Sequence, residues 1–170
     1  EGLTENEAEE LFRTLGLGAL KYFLLKVDPK KRMLFNPQES IEFQGNTGPF
    51  IQYTHARISA ILRRADSLEI DQDFDATKVG SLHPRALDLI HKLTEYPKVI
   101  DNAAKDYSPA LVAQYVYELA KTYNGFYQEV PIFNEDETDV VKFRIAISAS
   151  VAKVIRSAMR LLGIGVPERM

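Results

Sequence analysis

The sequence predicts an all-α helical bundle, and three observations carry that reading. Apolar residues recur at helical spacing along most of the chain, no stretch shows the strict alternation of a strand, and Thr, Ser and Pro stand where helices should begin. With 170 residues, 45% of them hydrophobic and 26% charged, the chain is long enough to bury a real core. About six or seven helices with short connections form the simplest arrangement.

Thr4 followed by Glu7 matches a capping box and predicts a first helix from Glu5 to about Leu15, with Leu11, Phe12 and Leu15 as its apolar side and Gly16 as its end. Gly18 to Leu25 is apolar enough for a second short helix, stopped by Asp28-Pro29. Lys30-Lys31-Arg32 reads as a solvated turn. Residues 33–43 have no clear period, and Met33, Leu34, Phe35, Ile41 and Phe43 are expected to anchor them beneath the turn that follows.

That turn is Gly45-Asn46-Thr47-Gly48, four residues that tolerate positive φ or bond their own backbone, and Pro49 suits the first position of a helix. The helix should run from near Pro49 to about Leu68. Ile51, Ile58, Ile61, Leu62 and Ala65 share its core face, while Tyr53, Arg57 and Arg64 share another. Function is expected on that second face at Tyr53 and Arg57, while Arg64 is expected to be solvated.

Residues 69–79 carry Asp71, Asp73 and Asp75 in the spacing of a calcium loop, but Ala76 stands where the sixth-position glycine belongs and Leu82 where the twelfth-position glutamate would bind. This is an acidic surface loop, with no metal site predicted. His83-Pro84 opens a helix to about Glu95, with Leu87, Leu89, Ile90 and Leu93 apolar, and Pro97 restarts one to about Lys105. Ser108-Pro109 caps a longer helix bearing Leu111, Val112, Tyr115, Leu119 and Tyr123, whose end Asn124-Gly125 interrupts. A last helix spans about Asp139 to Leu162. On it Lys142, Lys153, Arg156 and Arg160 form a basic stripe opposite Ile147, Val151, Val154, Ile155, Ala158, Leu161 and Leu162. Arg144 falls on the apolar side, where a charge must be paired, so a structural salt bridge is expected for it.

Composition narrows the function. There is no cysteine, which removes disulfides, thiolate metal ligands and thiol nucleophiles together and fits a reducing compartment; with no apolar run of membrane-spanning length, a cytoplasmic location is expected. The net charge of −3 conceals polarity: residues 140–170 carry a balance of +5 and residues 1–139 carry −8. A protein gripping a phosphate backbone on one side shows such polarity, and so does a solvated basic helix face.

Catalytic chemistry is not evident. His55, His83 and His91 are too scattered to form a ligand set; His83 precedes a proline and is expected to cap, and His55, flanked by Tyr53 and Arg57, is expected to be solvated or locally bonded, the alternative being contact with a ligand. There is no phosphate loop, no nucleophile elbow, and no carboxylate pair whose spacing demands a catalytic reading, so no catalytic residue is assigned. The remaining groups are aromatic and basic: Tyr53, Arg57, Tyr115, Tyr117, Phe126, Tyr127 and the stripe. Aromatic faces stack on unpaired bases and Lys or Arg contacts phosphates, which suits single-stranded RNA loops. Tyr115 and Tyr123 are expected in the core, Tyr53 and Tyr127 at the surface. The same aromatic face also suits a helical protein-interaction module without RNA binding.

Three segments carry more than composition does: Gly16 to Tyr22 (GLGALKY), Phe43 to Arg57 (FQGNTGPFIQYTHAR) and Leu161 to Met170 (LLGIGVPERM). With Gln114 to Ala120 and Asn124 to Tyr127 between them, they resemble the C-terminal part of the arginyl-tRNA synthetase family, over nearly the full length. The resemblance implies a class I synthetase that charges arginine tRNA using ATP with magnesium. The two catalytic signatures of that class, H-I-G-H and K-M-S-K-S, are absent here. It further implies that residues 1–43 are the end of the catalytic half and its junction, and that 44–170 form the helical anticodon-binding domain known as DALR. Such a fragment binds the anticodon arm without an active site or cofactor of its own, as a monomer, its partners being tRNA and the rest of the parent chain. Tyr53, Tyr127 and Met170, with Arg57 close by, are implied as anticodon contacts, and Lys153, Arg156 and Arg160 as tRNA-binding charges.

Overall fold

The computed structural model describes residues 4–170, and among them every regular element is helical. In chain order these are α1 (Glu5–Leu25), α2 (Pro37–Ser40), α3 (Gly48–Ser67), a 3-10 turn (Ala76–Lys78), α4 (Pro84–Lys105), α5 (Pro109–Glu129) and α6 (Thr138–Leu161). The predicted all-α bundle is what is observed.

The capping box forms as expected, with the Thr4 hydroxyl accepting from the Glu7 amide and the Glu7 carboxylate accepting from the Thr4 amide. The first two predicted helices, however, are one. Gly16 does not end α1, and Gly18 lies buried within it for a packing reason. A side chain on Gly18 would meet the Gln52 amide at 2.4 Å, and one on Gly48 would meet the Gly18 carbonyl oxygen at 2.7 Å. The two glycines let the backbones of α1 and α3 touch.

Thr47 caps α3 by accepting from the Phe50 amide, and Pro49 occupies the first turn, as the turn chemistry predicts. Ile51, Ile58, Ile61 and Ala65 are buried and Leu62 is half-buried. Tyr22 ties this corner together, since its hydroxyl lies 2.6 Å from Asn46 Oδ1 and 2.9 Å from the Ala113 carbonyl oxygen. The connection before the turn is less buried than expected. Leu34 is 91% exposed, while Phe35 packs edge-on against Phe23 and Phe43 against Tyr53.

Pro97 sits inside α4 instead of restarting a helix. It lacks the amide that would bond the Leu93 carbonyl, but Leu89, Ile90, Leu93, Tyr96, Val99 and Ile100 pack on the core from both sides of it, and this burial holds one helix together. Asn124-Gly125 likewise fails to interrupt α5, because Asn124 is held to α3 at both ends of its amide and the helix continues to Glu129. Ser108 occupies the N-cap of α5 without a side-chain cap bond. Phe12, Leu87, Leu111 and Leu161, expected on apolar faces, are exposed.

Helices α3, α5 and α6 surround the core, where Leu119, Tyr123, Phe126, Ile145, Ile155 and Met159 are fully buried. Each such side chain contributes about 1.5–3 kcal/mol through removal from water. The Tyr115 hydroxyl donates to the Lys92 carbonyl and that of Tyr123 to Ser148, so both core tyrosines have partners. Arg144, 15% exposed, donates to Glu135 at 2.9 Å and to the Pro131 carbonyl at 2.7 Å. No helix among the described residues is long and apolar enough to cross a membrane.

Candidate functional site

The exposed face of α3 meets the end of α5 and the C-terminal tail in a groove of about 1630 Å³. Tyr53, Arg57, Arg63 and Arg64 come from α3, Tyr127 and Gln128 from α5, Phe133 and Asn134 from the segment after it, and Arg169 and Met170 from the tail. Four arginine side chains face one carboxylate side chain, Glu7, so the groove favours anions.

At its centre the Arg57 guanidinium lies 4.8 Å from the Tyr53 ring centroid and 5.0 Å from that of Tyr127. Arg57 donates to the side-chain oxygen of Asn124, whose own amide donates to Thr54 Oγ1 at 3.0 Å. Residues 54 and 57 of one helix and 124 of the other thus lock two helices at the point where the aromatic rings emerge. Tyr53 and Tyr127 stay 43% and 41% exposed, with the Arg57 cation fixed beside both rings. A second aromatic–cation pair, Arg64 at 4.6 Å from the Phe133 ring centroid, lines the same groove. Planar aromatic surfaces beside fixed guanidinium groups are suited to stacking unpaired bases and holding the phosphates between them.

Four of the residues singled out in the sequence, Tyr53, Arg57, Tyr127 and Met170, therefore converge. Lys153, Arg156 and Arg160 do not line the groove; they are exposed on α6, where Arg156 pairs with Glu168 at 2.8 Å. Lys142, fourth member of the stripe, is drawn into an ion pair with Asp71 at 2.9 Å. Phe133, Asn134, Arg63 and Arg169 escaped the sequence reading. Arg63 and Arg64 adjoin in sequence, and Arg64 stands seven residues, about two turns, after Arg57; Phe133 follows a helix end with no periodic signal at all.

His55 overturns its expected role. It is fully buried, and its Nδ1 lies 2.9 Å from the Pro167 carbonyl oxygen, 112 residues away, so it is neither solvated nor locally bonded. Burial pushes the imidazole pKa down, the Pro167 carbonyl opposes this, Arg156 lowers it further and Glu168 counters. A neutral ring with its proton on Nδ1 follows, leaving Nε2 buried without a partner. His83, by contrast, caps α4 as expected through Nδ1, which accepts from the Arg85 amide.

The DALR anticodon binding domain model matches residues 51–170. Among curated proteins, the chain is 53% identical over 170 residues to arginine–tRNA ligase of Flavobacterium psychrophilum, covering all of this chain and 28% of that protein. It is 51% identical to the enzyme of the same name from Amoebophilus asiaticus, covering 29% of it. Among solved structures, Thermus thermophilus arginyl-tRNA synthetase superposes with a TM-score of 0.86 at 31% identity, over 95% of this chain and 28% of that one. The chain thus spans under a third of the length of these relatives. By its sequence and by its helical architecture, it belongs to the DALR anticodon-binding domain family.

Proposed function

We propose that the groove binds the unpaired bases of the anticodon arm of arginine tRNA, and that it does so for a parent enzyme that is an arginine–tRNA ligase. The observation that carries this reading is the convergence of Tyr53, Arg57, Tyr127 and Met170 in one arginine-rich groove of an anticodon-binding domain. Bases stack on Tyr53 and Tyr127, Arg57 keeps the two rings in place and offers positive charge, and the flexible thioether of Met170 packs against an unstacked base. Lys153, Arg156 and Arg160 lie outside the groove and draw in the tRNA backbone through long-range attraction.

Residues 1–43 belong with the catalytic half of the parent. Leu34, Ile41, Phe12 and Leu24, exposed on α1 and the connection, are the surface on which that half rests. ATP and magnesium act there. The residues of this chain do not suit them, since the sequence has no phosphate loop and, among the described residues, no three metal-binding side chains cluster. The fragment by itself charges no tRNA.

Titrating the chain with an arginine anticodon stem-loop, and with one whose anticodon bases are exchanged, tests the reading. Tighter binding of the arginine sequence, weakening steeply with added salt, is expected. Equal affinity for both would sink the specificity, and binding of a protein partner insensitive to salt in place of RNA would favour an interaction module.

A further inference from the structure

After α6 the chain does not simply end at the surface. Residues 163–168 run across α1 and α3, and four of their main-chain carbonyls are taken by side chains of the bundle. Lys21 Nζ donates to Gly163 at 2.6 Å, Gln52 Nε2 to Gly165 at 2.8 Å, His55 Nδ1 to Pro167 at 2.9 Å and Arg63 Nη1 to Glu168 at 2.9 Å. Three of these donors are on α3. At about 100° per residue they occupy a sector about 80° wide, beside the sector of about 40° that carries Tyr53, Arg57 and Arg64.

Gln52 and His55 are both fully buried, and each retains one polar atom, Oε1 and Nε2 respectively, with no partner. Such atoms are costly inside a core, and an apolar residue of similar size would avoid the cost. Gln52 Nε2 also donates to the Thr14 carbonyl on α1 at 3.2 Å, a bond within the bundle, whereas the side chain of His55 bonds to the tail alone. What both do, and an apolar residue cannot, is grip the tail.

We propose that Gln52 and His55 are positioning residues for the groove: by holding the carbonyls of Gly165 and Pro167 they set the path of the tail and so place Arg169 and Met170 at its rim. The proposal rests on the reading of the groove as an anticodon site. The two residues never touch the RNA; they act through the tail.

The test uses the whole chain. His55→Leu and Gln52→Leu are made in the full chain and in one shortened to Gly165, and affinity for the arginine anticodon stem-loop is measured in each. Each substitution is expected to weaken binding about tenfold in the full chain and to add almost nothing once the tail is gone. His55→Gln, which restores a donor, should recover part of the loss. Equal losses in both backgrounds would overturn the proposal. An RNA-free readout separates its failure from failure of the groove reading. The chain has three methionines, and the methyl resonance of Met170 should move toward its free-chain position in both Leu variants while that of buried Met159 stays. An unmoved Met170 signal overturns the proposal whatever the RNA does; a moved signal with no stem-loop binding by the unaltered chain keeps the tail mechanism and refutes its purpose.

Discussion

The Arg57 guanidinium on α3 lies 5.0 Å from the ring centroid of Tyr127 on α5, and a hydrogen bond to Asn124, one turn earlier on α5, keeps it there. The pair joins two helices and at the same time forms the floor of the groove. Arg57→Lys keeps the charge but loses the planar stack and the fork that reaches Asn124. Stem-loop affinity should fall by roughly 1 kcal/mol, together with a small drop in melting temperature. An Arg57→Lys chain that binds as well as the parent would show that charge alone matters at this position.

Tyr127→Ala should cost about 1–3 kcal/mol of stem-loop binding, the worth of one stacked base. Tyr107, 88% exposed and outside the groove, supplies the control, and Tyr107→Ala should leave affinity unchanged. Loss of fold stability without loss of affinity in Tyr127→Ala would make that ring a packing residue only.

Gly48→Ala should destabilise the fold by about 1–3 kcal/mol, although alanine is the better helix former. The new methyl would press on the Gly18 backbone at 2.7 Å, and a backbone inside a helix cannot turn aside as a side chain can. A chemical-denaturation midpoint equal to or above that of the unaltered chain would contradict the close approach of α1 and α3.

Protonation of His55 predicts a stability loss in mild acid. Its folded-state pKa lies below the ordinary 6.5, so above pH 6.5 the ring is neutral whether folded or unfolded and costs nothing. As the pH falls below 6.5 the unfolded chain takes up a proton that the folded chain refuses, and stability declines until the folded pKa is reached. The slope from this group is at most about 1.4 kcal/mol per pH unit. Facing the ring are Arg156 on α6, which discourages protonation, and Glu168 on the tail, which favours it. Denaturation profiles of the unaltered chain and His55→Leu between pH 8 and pH 5 should diverge in slope below 6.5; parallel profiles would rule the contribution out.

Local chemistry was legible in the sequence where it decides structure by itself. The Thr4–Glu7 box, the Gly45–Gly48 turn, the Pro49 start and the His83 cap all lie where their residue types predict. Breaker residues misled, for tertiary reasons. Gly16, with open space beside it, and Gly125, at ordinary contact distance from Arg85, end nothing, and Pro97 is carried by burial on both sides of it. In the groove, the helical spacing of Tyr53 and Arg57 was visible, but their meeting with Tyr127 depends on the packing of α3 against α5, which no local pattern encodes. The hold of His55 on Pro167 crosses 112 residues and left no trace in spacing or composition.

The contact of Gly18 with Gly48 has a mechanical side. Helices that meet through side chains can slide slightly as rotamers adjust, whereas two touching backbones contain no soft part to absorb movement. α1 and the first turns of α3 must therefore shift as one piece, and Tyr53 sits only five residues beyond Gly48. A push on the exposed side of α1 would pass through this contact toward the groove with little of it taken up by side-chain adjustment.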